Sequence, residues 1–213
     1  MKNTALIILG LLLVTGCESS EPEIWTPDNC EYEYVDLGLP SGTLWSFADI
    51  GAESSPYAET WGWGANDREG KKYAWGELNC RNVFTIETYE VHTLYSLDNI
   101  SGTKYDVANY KLGGDWQMPD LEDFEELINN CTMEWKDMSS VALLELKGPN
   151  GNHISIKIHW NSDRFVTQFW SGESVPSYCQ QAYAMEIDEN GMRVTEIPKY
   201  EGCRVRPVIK PKR

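Results

Sequence analysis

The sequence predicts an α+β domain of short antiparallel strands, one principal helix and long loops. Three observations carry this. Leu121, Phe124, Leu127 and Ile128 fall on one face of a helix, with Glu122, Asp123, Glu125 and Glu126 opposite. Two pairs of β-patterned segments flank Asn-Gly turns, at Pro149-Asn150-Gly151 and Glu189-Asn190-Gly191. Most of the remainder is short β-like runs broken by turn residues, with a long polar excursion over residues 78–105.

In chain order, residues 1–16 stand outside the fold. Lys2 supplies a positive start and Ala5 to Val14 an apolar run, too short to span a bilayer and suited to a signal peptide. Residues 17–31 form a tether, with Pro22 to Asn29 expected as linker, and the domain occupies 32–210. Tyr32 to Leu37 is the first expected strand; Gly38 to Gly42 turns it, and Thr43 to Phe47 returns. Ser54-Ser55-Pro56 resembles a short helix start. Residues 61–72 are expected as an exposed loop carrying Trp61 and Trp63. Asp106 to Gly114 is expected as a loop closed by a Gly-Gly turn.

Asp120, directly after Pro119, is placed as the N-cap of the principal helix, where its carboxylate can accept first-turn N–H groups; Asn129-Asn130 ends it. Val141 to Lys147 and Asn152 to Trp160 then form a hairpin. Ile154, Ile156, Ile158 and Trp160 point one way, and His153, Ser155, Lys157 and His159 the other. Phe165 to Trp170, Ala182 to Asp188, Met192 to Ile197 and Cys203 to Val208 complete the strands, the last expected beside the first.

Five pieces in order carry a family resemblance: Val35-Asp36-Leu37-Gly38-Leu39-Pro40-Ser41-Gly42-Thr43-Leu44-Trp45; Tyr73-Ala74-Trp75-Gly76-Glu77; Gly113-Gly114-Asp115-Trp116-Gln117-Met118-Pro119 with its helix to Asn130-Cys131-Thr132; Gly148-Pro149-Asn150-Gly151-Asn152; and Val205-Arg206-Pro207-Val208. Over about residues 34–208 the chain resembles the Fibrobacter succinogenes major paralogous domain family, found in secreted and lipid-anchored proteins of the Bacteroidetes. The resemblance implies a C-type lectin-like fold, shared with sulfatase-modifying factors, and no defined activity. It implies that Trp45, Trp75, Trp116, Trp135 and Trp170 are core residues and that Cys131 sits at a usual family position, expected here as a buried free thiol. Val14-Thr15-Gly16-Cys17 resembles a bacterial lipobox, which would place diacylglycerol and an acyl chain such as palmitate on Cys17. Glu18-Ser19-Ser20-Glu21 resembles the surface-export signal of Bacteroidetes lipoproteins, and cell-surface display is the favoured reading, although a plain solvated tether would have the same composition. The expected location is the outer membrane, lipid-anchored and facing outward.

The formal net charge of −15 makes nucleic acid and anionic lipid headgroups poor partners. His153 and His159 share a strand face, but six residues at roughly 3.3 Å each separate them by about 20 Å, too far for one ion. No Glu-Pro-Asn or Asp-x-Asp-x-Asp pattern supports calcium, and neither metal nor cofactor is expected. Apart from Cys17, five cysteines remain in an envelope that permits disulfides. Cys179–Cys203 is the expected pair, with Cys30–Cys80 as a second. An oxidase like the sulfatase-modifying factors would need a cysteine motif that Ser177-Tyr178-Cys179-Gln180-Gln181 does not match. No Gly-x-Ser-x-Gly elbow occurs, so no catalytic residue is assigned.

Trp61 and Trp63 lie in a Gly-rich loop outside the family pattern. In an extended loop both rings would face one side, and with Asn66 and Asp67 beside them they could stack a sugar ring and hydrogen-bond its hydroxyls. They could equally cap the core. The leading expectation is a non-enzymatic binding or adhesion module, with glycans as candidate ligands. The alternative is a structural surface-assembly protein that binds another protein.

Overall fold

The computed structural model describes residues 24–25, 33–52, 70–138, 141–161 and 164–211. It is α+β, with two antiparallel sheets. Its elements in order are β1 (Ile24–Trp25), β2 (Tyr34–Asp36), β3 (Leu44–Ser46), a 3-10 turn (His92–Ser96), α1 (Val107–Leu112), β4 (Trp116–Gln117), α2 (Leu121–Asn130), β5 (Thr132–Met138), β6 (Val141–Lys147), β7 (His153–Asn161), β8 (Arg164–Ser174), β9 (Gln181–Asp188), β10 (Gly191–Pro198) and β11 (Val208–Ile209). One sheet runs β1-β2-β3-β11-β4, the other β10-β9-β8-β7-β6-β5.

Both expected hairpins form at their Asn-Gly turns. Lys147 pairs with His153 across the first, and Asp188 with Gly191 across the second, where Gly191 takes a positive φ of 143°. The isoleucine stripe of β7 is buried with Ala142, Leu144 and Leu146 of β6. α2 lays Phe124 and Leu127 into the same core, where Phe124 stacks on Trp45 with ring centroids 6.1 Å apart. Asp120 is the N-cap, as expected, but its carboxylate also has outside partners: Asn99, Ser101 and Lys210. Asp123 reaches back to the Asp120 N–H at 2.7 Å, the return half of a capping box.

A second core lies across the larger sheet. β9 serves both: Met185 and Ile187 join the first core, while Ala182 and Ala184, on the opposite strand face, join Trp75, Trp170 and Val205 in the second. The chain after β10 ties the two halves together. β7 and β8 pair only at Trp160–Phe165 and Asn161–Arg164, then separate. Into the gap comes Arg204, whose backbone bonds Gln168 and Trp170 of β8 and whose guanidinium donates to the Lys157 carbonyl of β7. Arg206, 2% exposed, donates to Asp49 Oδ1 at 2.5 Å and to the carbonyls of Phe47 and Ser155. β11 then inserts between β3 and β4.

The structure corrects several expectations. Ile24–Trp25, expected as linker, pairs with β2. The expected loop after Asp106 is α1, because the buried Asp106 carboxylate caps it at Ala108 (2.7 Å) and Asn109 (3.1 Å) and Gly113 ends it at φ 70°. Thr132–Met138 adds an edge strand, and β8 extends to Ser174. Of the expected last strand only Val208 lies in one; Cys203 and Arg204 make single bridges, to Tyr73 and Phe169. Trp45, Trp75, Trp116 and Trp170 are buried, but Trp135, on the edge strand β5, is only partly so. Ser155 is buried although it faces away from the isoleucines, because Arg206 covers that face.

Candidate functional site

The excursion after Trp75 folds over a groove of about 340 Å³. Its floor is set by the buried Tyr73-Ala74-Trp75-Gly76-Glu77 segment. Trp75 Nε1 donates to the Ser171 carbonyl at 3.0 Å, and the Tyr89 hydroxyl donates to the Trp75 carbonyl at 2.9 Å. Gly76 has φ 80°, and a Cβ there would sit 2.3 Å from Leu94 Cδ1, so the excursion can cross the floor only over a glycine. Glu77 joins the banks. Its buried carboxylate accepts the Glu90 N–H at 2.8 Å and a hydrogen bond from Arg81, which also donates to the Thr88 carbonyl.

Leu78 and Asn79 form one bank, Glu90 and Val91 the second, and Lys104 and Tyr105 the third. Leu78 and Val91 are apolar, and the Tyr105 ring, half-buried, carries the Lys104 ammonium 5.0 Å from its centroid. Neither the Asn79 amide nor the Tyr105 hydroxyl bonds another described residue. The site thus offers an aromatic ring, two apolar side chains, an amide, a hydroxyl, one ammonium and two carboxylates, of which Glu77 is paired with Arg81. Beneath it lies Lys199, fully buried, its ammonium 4.0 Å above the Trp75 ring and 3.4 Å from the Leu94 carbonyl. Burial lowers its pKa to about 8, against smaller upward pulls from Cys179 and Asp98.

Other sequence-derived candidates lie elsewhere. Trp61, Trp63, Asn66 and Asp67, like Cys17 and Cys30, fall outside the described residues. The described residues on either side of the Trp61 segment are held together: Gly70 N–H donates to Asp49 Oδ2 at 3.2 Å and Lys71 N–H to the Ile50 carbonyl at 3.0 Å. The expected Cys179–Cys203 pair is not formed. Cys179 is a free, exposed thiol in the turn before β9, and Cys203 a free, buried one against Tyr73, pushed up by burial. Cys80 is also free and exposed, and its expected partner Cys30 lies outside the described residues; Cys131 is free and buried, pushed up to about 11 by burial and by Glu126. His153 lies 3.7 Å from Glu145, and among the described residues no His, Cys, Asp and Glu group could hold a metal ion. No described helix is long and apolar enough to cross a membrane.

Sequence reading placed a long polar excursion at residues 78–105 but named none of its residues as a site. The usable signal was Lys104-Tyr105, a cation and an aromatic directly before the Asp106 cap. No protein-family model, no curated protein and no solved structure matches this chain.

Proposed function

We propose that the chain is a non-enzymatic binding module of C-type lectin-like kind, held at the outer face of the outer membrane by a lipid on Cys17, and that its ligands are neutral glycans. The observation that carries this is the groove of about 340 Å³, whose Tyr105 face, apolar base and unengaged Asn79 and Tyr105 polar groups suit a sugar ring. Its mixed lining and the chain's net charge of −15 disfavour anionic polysaccharides. The five-piece family resemblance and the lipobox support the surface location.

The test is a glycan array probed with the full chain in detergent. Binding to neutral glycans that drops at least tenfold in Tyr105→Ala, with an unchanged melting curve, supports the reading; binding restricted to sulfated or uronic glycans, or none, overturns it. Trp61→Ala run beside it tells whether the loop outside the described residues joins the site. Cys17→Ser should move the chain from the membrane fraction to the soluble one.

The second reading, a surface-assembly component that binds another protein, draws on Val83 and Ile86, which stand 60% and 45% exposed on the same excursion. Val83→Asp would then abolish co-purification of a partner and leave array binding untouched.

A further inference from the structure

The groove has a neighbour. A second cleft of about 250 Å³ lies on the other side of the Ser101–Tyr105 turn, lined by Gly102, Asn109, Asp115, Gln117 and Lys210 among others. Gly102 faces this cleft and Lys104-Tyr105 face the first, so along the chain only Thr103 stands between the two linings, and the Gly102 and Lys104 Cα atoms are at most about 7 Å apart.

The wall between them is densely hydrogen-bonded. Ile100 N–H bonds the Gly172 carbonyl at 2.9 Å, and Thr103 N–H the Ile100 carbonyl at 3.0 Å. Asp106 N–H bonds the Thr103 carbonyl at 3.0 Å, and the Tyr105 N–H donates to Thr103 Oγ1 at 3.2 Å. The Asp106 carboxylate clamps the turn to the sheet by accepting Gly102 N–H at 2.7 Å and Met118 N–H at 2.8 Å. A wall already fixed in this way costs a ligand little to order.

The second cleft is chemically unlike the first. Trp116 is buried beneath it, so no aromatic face is presented, and its lining is polar side chains and backbone. The Gln117 amide is half-buried and bonds no other described residue. Its Oε1 would lie 3.2 Å from a Cβ at position 102, so glycine leaves that amide room. Gly114, also on the lining, has nothing within 4 Å of where its Cβ would stand. Lys210 is neutralised by Asp120 and Asp123 and brings no net positive charge.

We propose that this cleft is a second subsite for the same ligand. A linear neutral oligosaccharide would stack one ring on Tyr105, cross the Ser101–Tyr105 wall and place the hydroxyls of a further ring against Gln117 and Asp115. The site then recognises a chain of sugars rather than a terminal monosaccharide. This rests on the glycan reading of the Tyr105 groove.

The test is calorimetric titration of the full chain in detergent with neutral glucose, mannose and N-acetylglucosamine oligomers of one to six rings. The expected result is affinity that rises about tenfold or more between two and four rings and then levels. Gln117→Ala removes that rise while leaving the monosaccharide and disaccharide unchanged, and Tyr105→Ala removes binding at every length. Asp115→Asn, on an exposed turn, serves as a second variant should Gln117→Ala melt early. Affinity that is Tyr105-dependent but flat with length, or a length dependence untouched by both second-cleft variants, overturns the second subsite alone. Absence of binding by any oligomer overturns it together with the glycan reading.

Discussion

Lys199 has its ammonium buried against the Trp75 ring, and the charged form bears the cost of lost hydration. Its folded pKa of about 8 lies below the ordinary lysine value of 10.5, so between those two pH values the unfolded chain holds more protons and stability rises with pH. Tyr73, pushed up to about 12 by burial and by Cys80, and Cys131, pushed up to about 11, work the other way at alkaline pH. A comparison of wild type with Lys199→Met cancels both. From pH 7 to pH 10 the difference should move by roughly 2–3 kcal/mol in favour of wild type, read by urea unfolding; a constant difference would place the ammonium in water. The Arg206–Asp49 pair behaves differently, because both partners are buried and Arg206 also donates to three backbone carbonyls. Asp49→Ala strands that guanidinium and should cost about 3–5 kcal/mol, whereas Asp49→Ala with Arg206→Met should recover part of the loss.

At the level of elements, the parts legible in the sequence are those whose pattern is local. The β6–β7 and β9–β10 hairpins follow from alternation plus Asn-Gly, and α2 from a full apolar stripe behind an Asp cap. α1 escaped notice because six residues hold barely two turns and too few apolar positions to show a period. Its stability comes from one side chain, since Asp106 caps Ala108 and Asn109 while also holding Gly102 and Met118. Asp106→Ala removes all four bonds and leaves buried N–H groups unpaired, an expected loss of about 3–5 kcal/mol. Hydrogen exchange at those four amides should accelerate together, and the sugar binding proposed for the groove should weaken with them because the same carboxylate holds the wall between the clefts. Protection lost only at Ala108 and Asn109 would reduce Asp106 to an ordinary helix cap. β1 and β5 were missed for another reason: two residues carry no alternation, and an edge strand bearing Glu134, Lys136 and Asp137 has the polarity of a loop.

For the whole molecule, the candidate site was invisible in the sequence because its banks come from residues 76–79, 90–91 and 104–105, which meet only after the excursion folds over Gly76. The same holds for the junction of the two halves. Val205-Arg206-Pro207-Val208 reads as a plain strand, yet residues 199–209 bond the sequence-distant Trp75, Tyr73, Gln168, Trp170, Ile50 and Ser46 backbones. Arg206 meets Asp49 across 157 positions. Contacts of that span repay their loop-closure entropy only late, so the hairpins should form first and the junction last. A chain ended at Gly202 retains every residue of both hairpins and of α2 but loses β11 and both buried arginines. It should keep β-type far-ultraviolet dichroism, lose its near-ultraviolet signal and melt without a cooperative transition. If the shortened chain instead unfolds sharply with its near-ultraviolet signal intact, the C-terminal segment is a covering on a body that stands by itself, and the groove floor at Tyr73 and Trp75 is held by the second core alone.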